Sequence, residues 1–177
     1  VSVRILRRSV LLLAVFALSL IALAGSPVKL ELTSLKVVTR ITDDGKKVEE
    51  LVPAVEVKPG DVIEWKLRAE NASEQTLHDV ALVIPIPAKT YYLDGSASPL
   101  QVEEGGRKVT IEPQFSYDGG HSFGRPPLYK KVKERVNGKE VIKEVPVAPE
   151  EYTHARWVLQ TMAPGQVVEV FLRTVVR

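Results

Sequence analysis

The residues of this 177-residue chain whose types could do chemistry are three histidines, a serine beside one of them, and an acidic run. A zinc site would require His78, His121 and His154 to converge in space, since no two stand three or four apart and there is no HExxH stretch. Ser122 follows His121, but sequence neighbours need not face one another, and no GxSxG turn presents the hydroxyl. Asp43, Asp44, Glu49 and Glu50 lack the alternate-oxygen spacing of a calcium loop and read as a solvated hairpin turn. With no cysteine, thiol, zinc–thiolate and iron–sulfur chemistry are excluded, and phosphate-loop and dinucleotide glycine motifs are missing. The expectation is a protein that is not an enzyme and uses no cofactor or metal.

Side chains suited to binding fall into two groups. Tyr91 and Tyr92 follow a proline bend, and with Phe115, Tyr117 and Phe123 they could supply an aromatic patch. His121 lies in the glycine-flanked loop Asp118-Gly119-Gly120-His121-Ser122-Phe123-Gly124, a candidate binding tip. At least half of the aromatics are expected in the core, because such rings carry much of the burial in a small domain. The second group lies in residues 128–147, where Asn137-Gly138 signals a two-residue hairpin turn. That turn sets Arg135 opposite Glu140 and Lys131 opposite Glu144 on one face, with Val132, Val136, Val141 and Val145 on the other. Each cross-strand pair contributes about 0.2–1 kcal/mol, so the charges set register more than stability. One reading is an edge hairpin whose lysines discourage unwanted strand pairing. The sharper one is a docking surface for another envelope component.

The elements that position these residues have a period of two. Ile63, Trp65, Leu67 and Ala69 alternate with Glu64, Lys66, Arg68 and Glu70, the pattern of a strand with one face on a core and one in water. Val168, Val170 and Leu172 alternate with Glu169, Phe171 and Arg173, and Leu35, Val37 and Ile41 with Lys36, Val38 and Arg40. Turn residues fall between these runs, at Asp43-Asp44-Gly45, Lys58-Pro59-Gly60-Asp61, Asp94-Gly95-Ser96, Glu104-Gly105-Gly106, Asp118-Gly119-Gly120, Asn137-Gly138 and Ala163-Pro164-Gly165-Gln166. No window shows a helical stripe, and Pro149-Glu150-Glu151-Tyr152 suits a single helical turn. The expected fold is all-β, two antiparallel sheets packed face to face, with Trp65 and Trp157 as the largest core candidates.

Ahead of that domain stands an export address. Arg4, Arg7 and Arg8 precede an apolar run over residues 10–23 that ends in Ala22-Leu23-Ala24, the small-x-small pattern a signal peptidase reads. A run of about 14 residues is short of the roughly 20 that span a bilayer, so cleavage after Ala24 is expected; membrane attachment would need an uncleaved leader. The mature 25–177 segment is then one domain, exported to the periplasm, the cell surface or the medium. The whole chain carries a formal charge of +2, and the three leader arginines, unopposed by any acid, account for +3 of it. The mature charge of −1 gives no basic surface for nucleic acid. Nothing in the sequence sets an oligomeric state.

Residues 57–97 carry a recognisable pattern: Val57-Lys58-Pro59-Gly60-Asp61 into a strand, Asn71 in a turn, a second strand from His78, Ile84-Pro85-Ile86-Pro87 before an aromatic, and Gly95-Ser96. The stretch resembles the bacterial conserved-repeat domain known as the DUF11 family, with a weaker echo at Arg156-Trp157 and Ala163-Pro164-Gly165. The resemblance implies an immunoglobulin-like β-sandwich of exported and cell-surface proteins, commonly in tandem, with no general catalytic residues to carry over. This chain has one copy and a long charged insertion at 128–147. The functional expectation is a non-enzymatic cell-envelope module, structural or interacting with envelope proteins. The alternative is a periplasmic or extracellular ligand- or glycan-binding domain using His121 and Tyr92.

Overall fold

The run with the clearest alternation, Val62–Asn71, is the central strand of the larger of two packed sheets. The computed structural model describes residues 26–177, so the expected export leader lies outside the described residues. In chain order the strands are β1 (Val28–Ile41), β2 (Lys47–Pro53), β3 (Val62–Asn71), β4 (Leu77–Pro85), β5 (Thr90–Tyr92), β6 (Leu100–Glu104), β7 (Arg107–Ile111), β8 (Gln114–Ser116), β9 (Tyr129–Val136), β10 (Lys139–Pro146), β11 (His154–Met162) and β12 (Val167–Val176). One turn of 3-10 helix, Pro149–Glu151, stands where the sequence suggests one. The larger sheet runs β2-β1-β3-β12-β5 and the smaller β4-β11-β8, with β6–β7 and β9–β10 as separate hairpins. Every pairing is antiparallel.

The core forms because a period-two pattern puts alternate side chains on one face. Leu67 and Ala69 of β3 and Val168, Val170 and Leu172 of β12 meet Leu82 and Ile84 of β4, Ala155, Trp157 and Leu159 of β11, and Phe115 of β8. Leu100 and Val102 of β6 add to the same cluster. Trp157 is fully buried, and its indole N–H donates to the Ser98 carbonyl at 2.9 Å. Trp65 departs from expectation. It is half-buried at the rim of the core, with its indole N–H donating to Thr174 Oγ1 at 2.9 Å, because the smaller sheet does not extend over it.

Strand β1 also differs from its sequence reading. Leu35 pairs with Glu64 and Val37 with Val62, so Leu35, Val37 and Ile41 share the outward face, not the core face. The inward residues of β1 include Leu30 and Leu32, paired with Ala69 and Leu67. They are nevertheless 61% and 43% exposed. The cause is topological: β4 packs on β3 and β8 on β5, so β1 and β2 project beyond the smaller sheet.

Two turns of the 57–97 stretch have clear physical reasons. Gly60 adopts φ +89, and the Asp61 N–H donates to the Lys58 carbonyl at 3.0 Å, as a Pro-Gly type II turn requires. The Asp61 carboxylate accepts from Lys36 Nζ at 2.6 Å and from the Lys58 N–H at 2.7 Å, which hold its pKa below the ordinary value. Asn71 is fully buried. Its amide donates to the Gln75 and Met162 carbonyls at 2.8 and 2.9 Å and accepts from the Ser73 N–H and hydroxyl at 3.0 and 2.7 Å.

Candidate interaction surfaces

The β9–β10 hairpin is built by its turn. Asn137 and Gly138 have φ values of 51° and 78°, the left-handed pair of a type I′ turn that matches the strands' twist. The register sets Arg135 opposite Glu140 and Lys131 opposite Glu144, and the four valines share the other face, as the spacing predicts. The closest ion pair is diagonal, Lys133 Nζ to Glu140 Oε1 at 2.6 Å, because long cations reach past their direct partner.

Neither edge of this hairpin pairs with another strand. It is fastened at its base by the Val147 N–H donating to the Leu128 carbonyl at 2.9 Å, by Tyr117 Oη donating to the Tyr129 carbonyl, and by a Lys130–Glu151 ion pair. Lys130, with the Ala148 N–H, lowers the pKa of Glu151. Toward the tip every side chain is exposed, Ile142 by 67%. The hairpin holds six basic and three acidic residues, net +3, while the rest of the described chain holds 15 basic and 19 acidic, net −4.

Tyr91 and Tyr92 do not form one patch. Tyr92 pairs with Thr174 on the inner face and Tyr91 with Val175 on the outer, because adjacent strand residues point to opposite sides. Tyr92 as a contact residue is therefore corrected: it is 4% exposed, tilted at 45° against Phe115 at a centroid distance of 4.9 Å and stacked on Tyr152 at 5.9 Å. Its hydroxyl accepts the Ala97 N–H at 3.1 Å, and burial raises its pKa. Tyr91 stays half-exposed beneath the Arg177 guanidinium, 5.7 Å from the ring centroid.

Tyr92 and Phe115 help line a cleft of about 400 Å³ that also meets Asp94, Glu112 and Arg125. Sequence reasoning missed those three charged residues. They come from separate turns beside strands of only three residues, too short to show a period.

His121 is exposed but does not line that cleft. Its loop is organised by Asp118, whose carboxylate accepts from the Ser122 hydroxyl at 2.5 Å, the Ser122 N–H at 3.0 Å and the Ser116 hydroxyl at 2.7 Å. These donors hold the carboxyl far below the usual range. His121 Nδ1 sits 2.5 Å from the Asp118 carbonyl oxygen; a carbonyl only accepts, so Nδ1 carries a proton in this contact. Glycine-flanked as it is, the loop is a closed hydrogen-bonded turn, and Ser122 spends its hydroxyl on Asp118.

Among the described residues, no three or more His, Asp or Glu gather in a group able to hold a metal ion. No helix among them is long and apolar enough to cross a membrane. Compared with known proteins, the chain matches no family model, no curated protein and no solved structure.

Proposed function

We propose that this chain is an exported, non-enzymatic β-sandwich of the immunoglobulin-like kind that serves as a structural or protein-interaction module of the cell envelope, with the β9–β10 hairpin as its contact element. One observation carries the reading: a two-stranded ribbon with both edges unpaired stands off the body with a charge opposite to it. An isolated hairpin is marginal in water, and a basic ribbon carrying exposed Val136 and Val141 on one face and Ile142 on the other gains most when an acidic partner covers it. Export and the resemblance of residues 57–97 to the conserved-repeat domain supply the setting. Within the hairpin, Lys131, Arg135, Glu140 and Glu144 fix register, and the cations with Ile142 make contact.

The test places a photo-crosslinking residue at Ile142 and, as a control, at the exposed Leu93. A discrete envelope protein captured at Ile142 only, and lost on Lys133→Glu/Lys139→Glu/Lys143→Glu, is the expected result. Equal capture at both positions, or capture insensitive to charge reversal, refutes it.

A second reading, a ligand- or glycan-binding domain, is favoured by the cleft of Tyr92, Asp94, Glu112 and Arg125. It expects a glycan-induced thermal shift abolished by Arg125→Ala and unaffected by His121→Ala.

A further inference from the structure

The unmatched side of the sandwich holds a second feature, independent of the hairpin. Ser34 of β1, Ile63 and Trp65 of β3, Thr90 and Val176 line a cleft of about 240 Å³, closed on one side by Ala54 and Val57 of the chain returning from β2 to β3. Two and four residues from Ser34 along the same inward face come Leu32 and Leu30, both uncovered, so the apolar lining continues out of the cleft along β1. The lining has one cation, Lys89, and among the described residues Lys89 has no carboxylate partner.

A strand from another polypeptide is the first occupant to weigh, because β4 at the border of this opening is an edge strand. The backbone argues against it. The Ile86 N–H donates to the Thr153 carbonyl, and the antiparallel alternation then turns the odd-numbered residues of β4 toward the open edge. Of these, Pro85 has no N–H and Asp79 sits at φ +51, which cuts Leu77 off at the strand's start and leaves only Ala81 and Val83 as consecutive regular partners. An added strand gains too little ladder from two residues. An occupant that needs no backbone hydrogen bonds fits: apolar, flexible and narrow, with one negative group for Lys89.

We infer that this cleft binds a single acyl chain ending in a carboxylate, the tail against Trp65, Ile63 and Val57 and the head at Lys89. The volume matches about six to eight methylenes, taking each as roughly the 30 Å³ share of one water. Chains longer than that run on over Leu32 and Leu30. The chemistry calls for a free monoacyl carboxylate, since the tail lies between the return segment and the sheet rather than on an exposed flat face.

The intrinsic reporter is Trp65, at the cleft, as against Trp157, which is wholly buried. Titrating the protein with hexanoate, octanoate and decanoate, and with a brominated octanoate as quencher, is expected to change Trp65 emission. Affinity should tighten about fourfold per added methylene until the cleft is full. Trp65→Phe removes the signal and supplies the baseline. Ala54→Phe, which fills the cleft from a partly exposed loop position, abolishes binding without unfolding the protein. Lys89→Gln weakens octanoate about tenfold and leaves octanol unchanged. Affinity independent of chain length, equal binding by Ala54→Phe, or equal octanoate and octanol affinities in the parent protein would each overturn the assignment. So would binding confined to anionic phospholipid vesicles.

Discussion

Asn71→Asp exchanges two side chains of nearly one shape and is expected to be worse than Asn71→Ala. Asn71 uses all four of its hydrogen-bonding positions, two as donor and two as acceptor. Alanine leaves the Met162 carbonyl without a donor in a buried site, which costs about 1–3 kcal/mol, whereas the Gln75 carbonyl on an exposed residue regains water cheaply. Adding the lost Ser73 bonds at about 1 kcal/mol brings the alanine variant to about 3 kcal/mol. Aspartate keeps the Ser73 bonds but aims a carboxylate oxygen at two carbonyl oxygens now 2.8 and 2.9 Å from the amide nitrogen, in a residue with no exposure. A buried carboxylate with one oxygen lacking donors and facing two carbonyl oxygens costs more than a vacancy.

Urea unfolding at pH 7 with an unchanged slope reads the order parent, alanine, aspartate. The aspartate variant carries a second signature. A carboxylate disfavoured by the fold has its folded pKa raised above about 3.9, so the folded state takes up the proton first and the deficit shrinks as pH falls through the raised value. An aspartate variant as stable as alanine at pH 7, or a gap independent of pH, would refute the reasoning.

Glu64 is 4% exposed and receives Arg173 Nε at 3.0 Å, so Arg173→Met strands a buried charge and costs about 2–3 kcal/mol, discounted because the guanidinium is partly exposed. The double variant Glu64→Leu/Arg173→Met is expected to unfold at a higher urea concentration than Arg173→Met alone. Gly138→Val, at φ +78, melts the β9–β10 hairpin, seen as faster amide exchange over residues 131–144, and leaves the global midpoint where it was; a lowered midpoint would make the hairpin part of the core. Trp157→Phe loses the bond to the Ser98 carbonyl and some volume, for about 2–3 kcal/mol by urea unfolding. The Asp118 carboxyl is depressed by Ser122 and Ser116, so its support of the His121 loop is complete above the unfolded value of 3.8 and disappears as pH falls through the folded one, followed by the Ser122 amide resonance.

Where one strand had both neighbours, its pattern could be read directly: β3 and β12 lie side by side under the smaller sheet, and their alternation is the core. The Asn137-Gly138 hairpin and its register were legible for a different reason, since two local residues fix them. The faces of β1 were not. Leu35, Val37 and Ile41 alternate as well as any core strand, yet burial depends on what lies opposite, and the smaller sheet ends at β4. Tyr92 illustrates the converse, an aromatic placed inside only because β5 pairs with the far edge of β12. The two clefts draw residues from segments distant in sequence, and no local signal joins Asp94 to Arg125 or Ser34 to Lys89.

Three prolines explain why the open edges do not decide recognition here. Pro53 ends β2, Pro85 ends β4 and Pro146 ends β10, each on the unpaired border of its strand. In each ladder the neighbouring hydrogen bonds, Thr42 N–H to Lys46, Ile86 N–H to Thr153 and Val147 N–H to Leu128, turn that proline's position outward. A residue with no N–H at an outward position interrupts the row that an incoming strand must read. The lysines and the arginine of β9 do the same electrostatically along the other side of the hairpin. With backbone pairing closed at these borders, the surfaces left for partners are side-chain surfaces: the basic hairpin tip and the uncovered face of β1. Removing a guard therefore makes a distinct change. Pro85→Val restores one outward N–H to β4 and is expected to promote concentration-dependent self-association by sedimentation velocity, without altering the hairpin's crosslinks or the octanoate affinity. A strictly monomeric Pro85→Val would show that Asp79 alone is sufficient to close the edge.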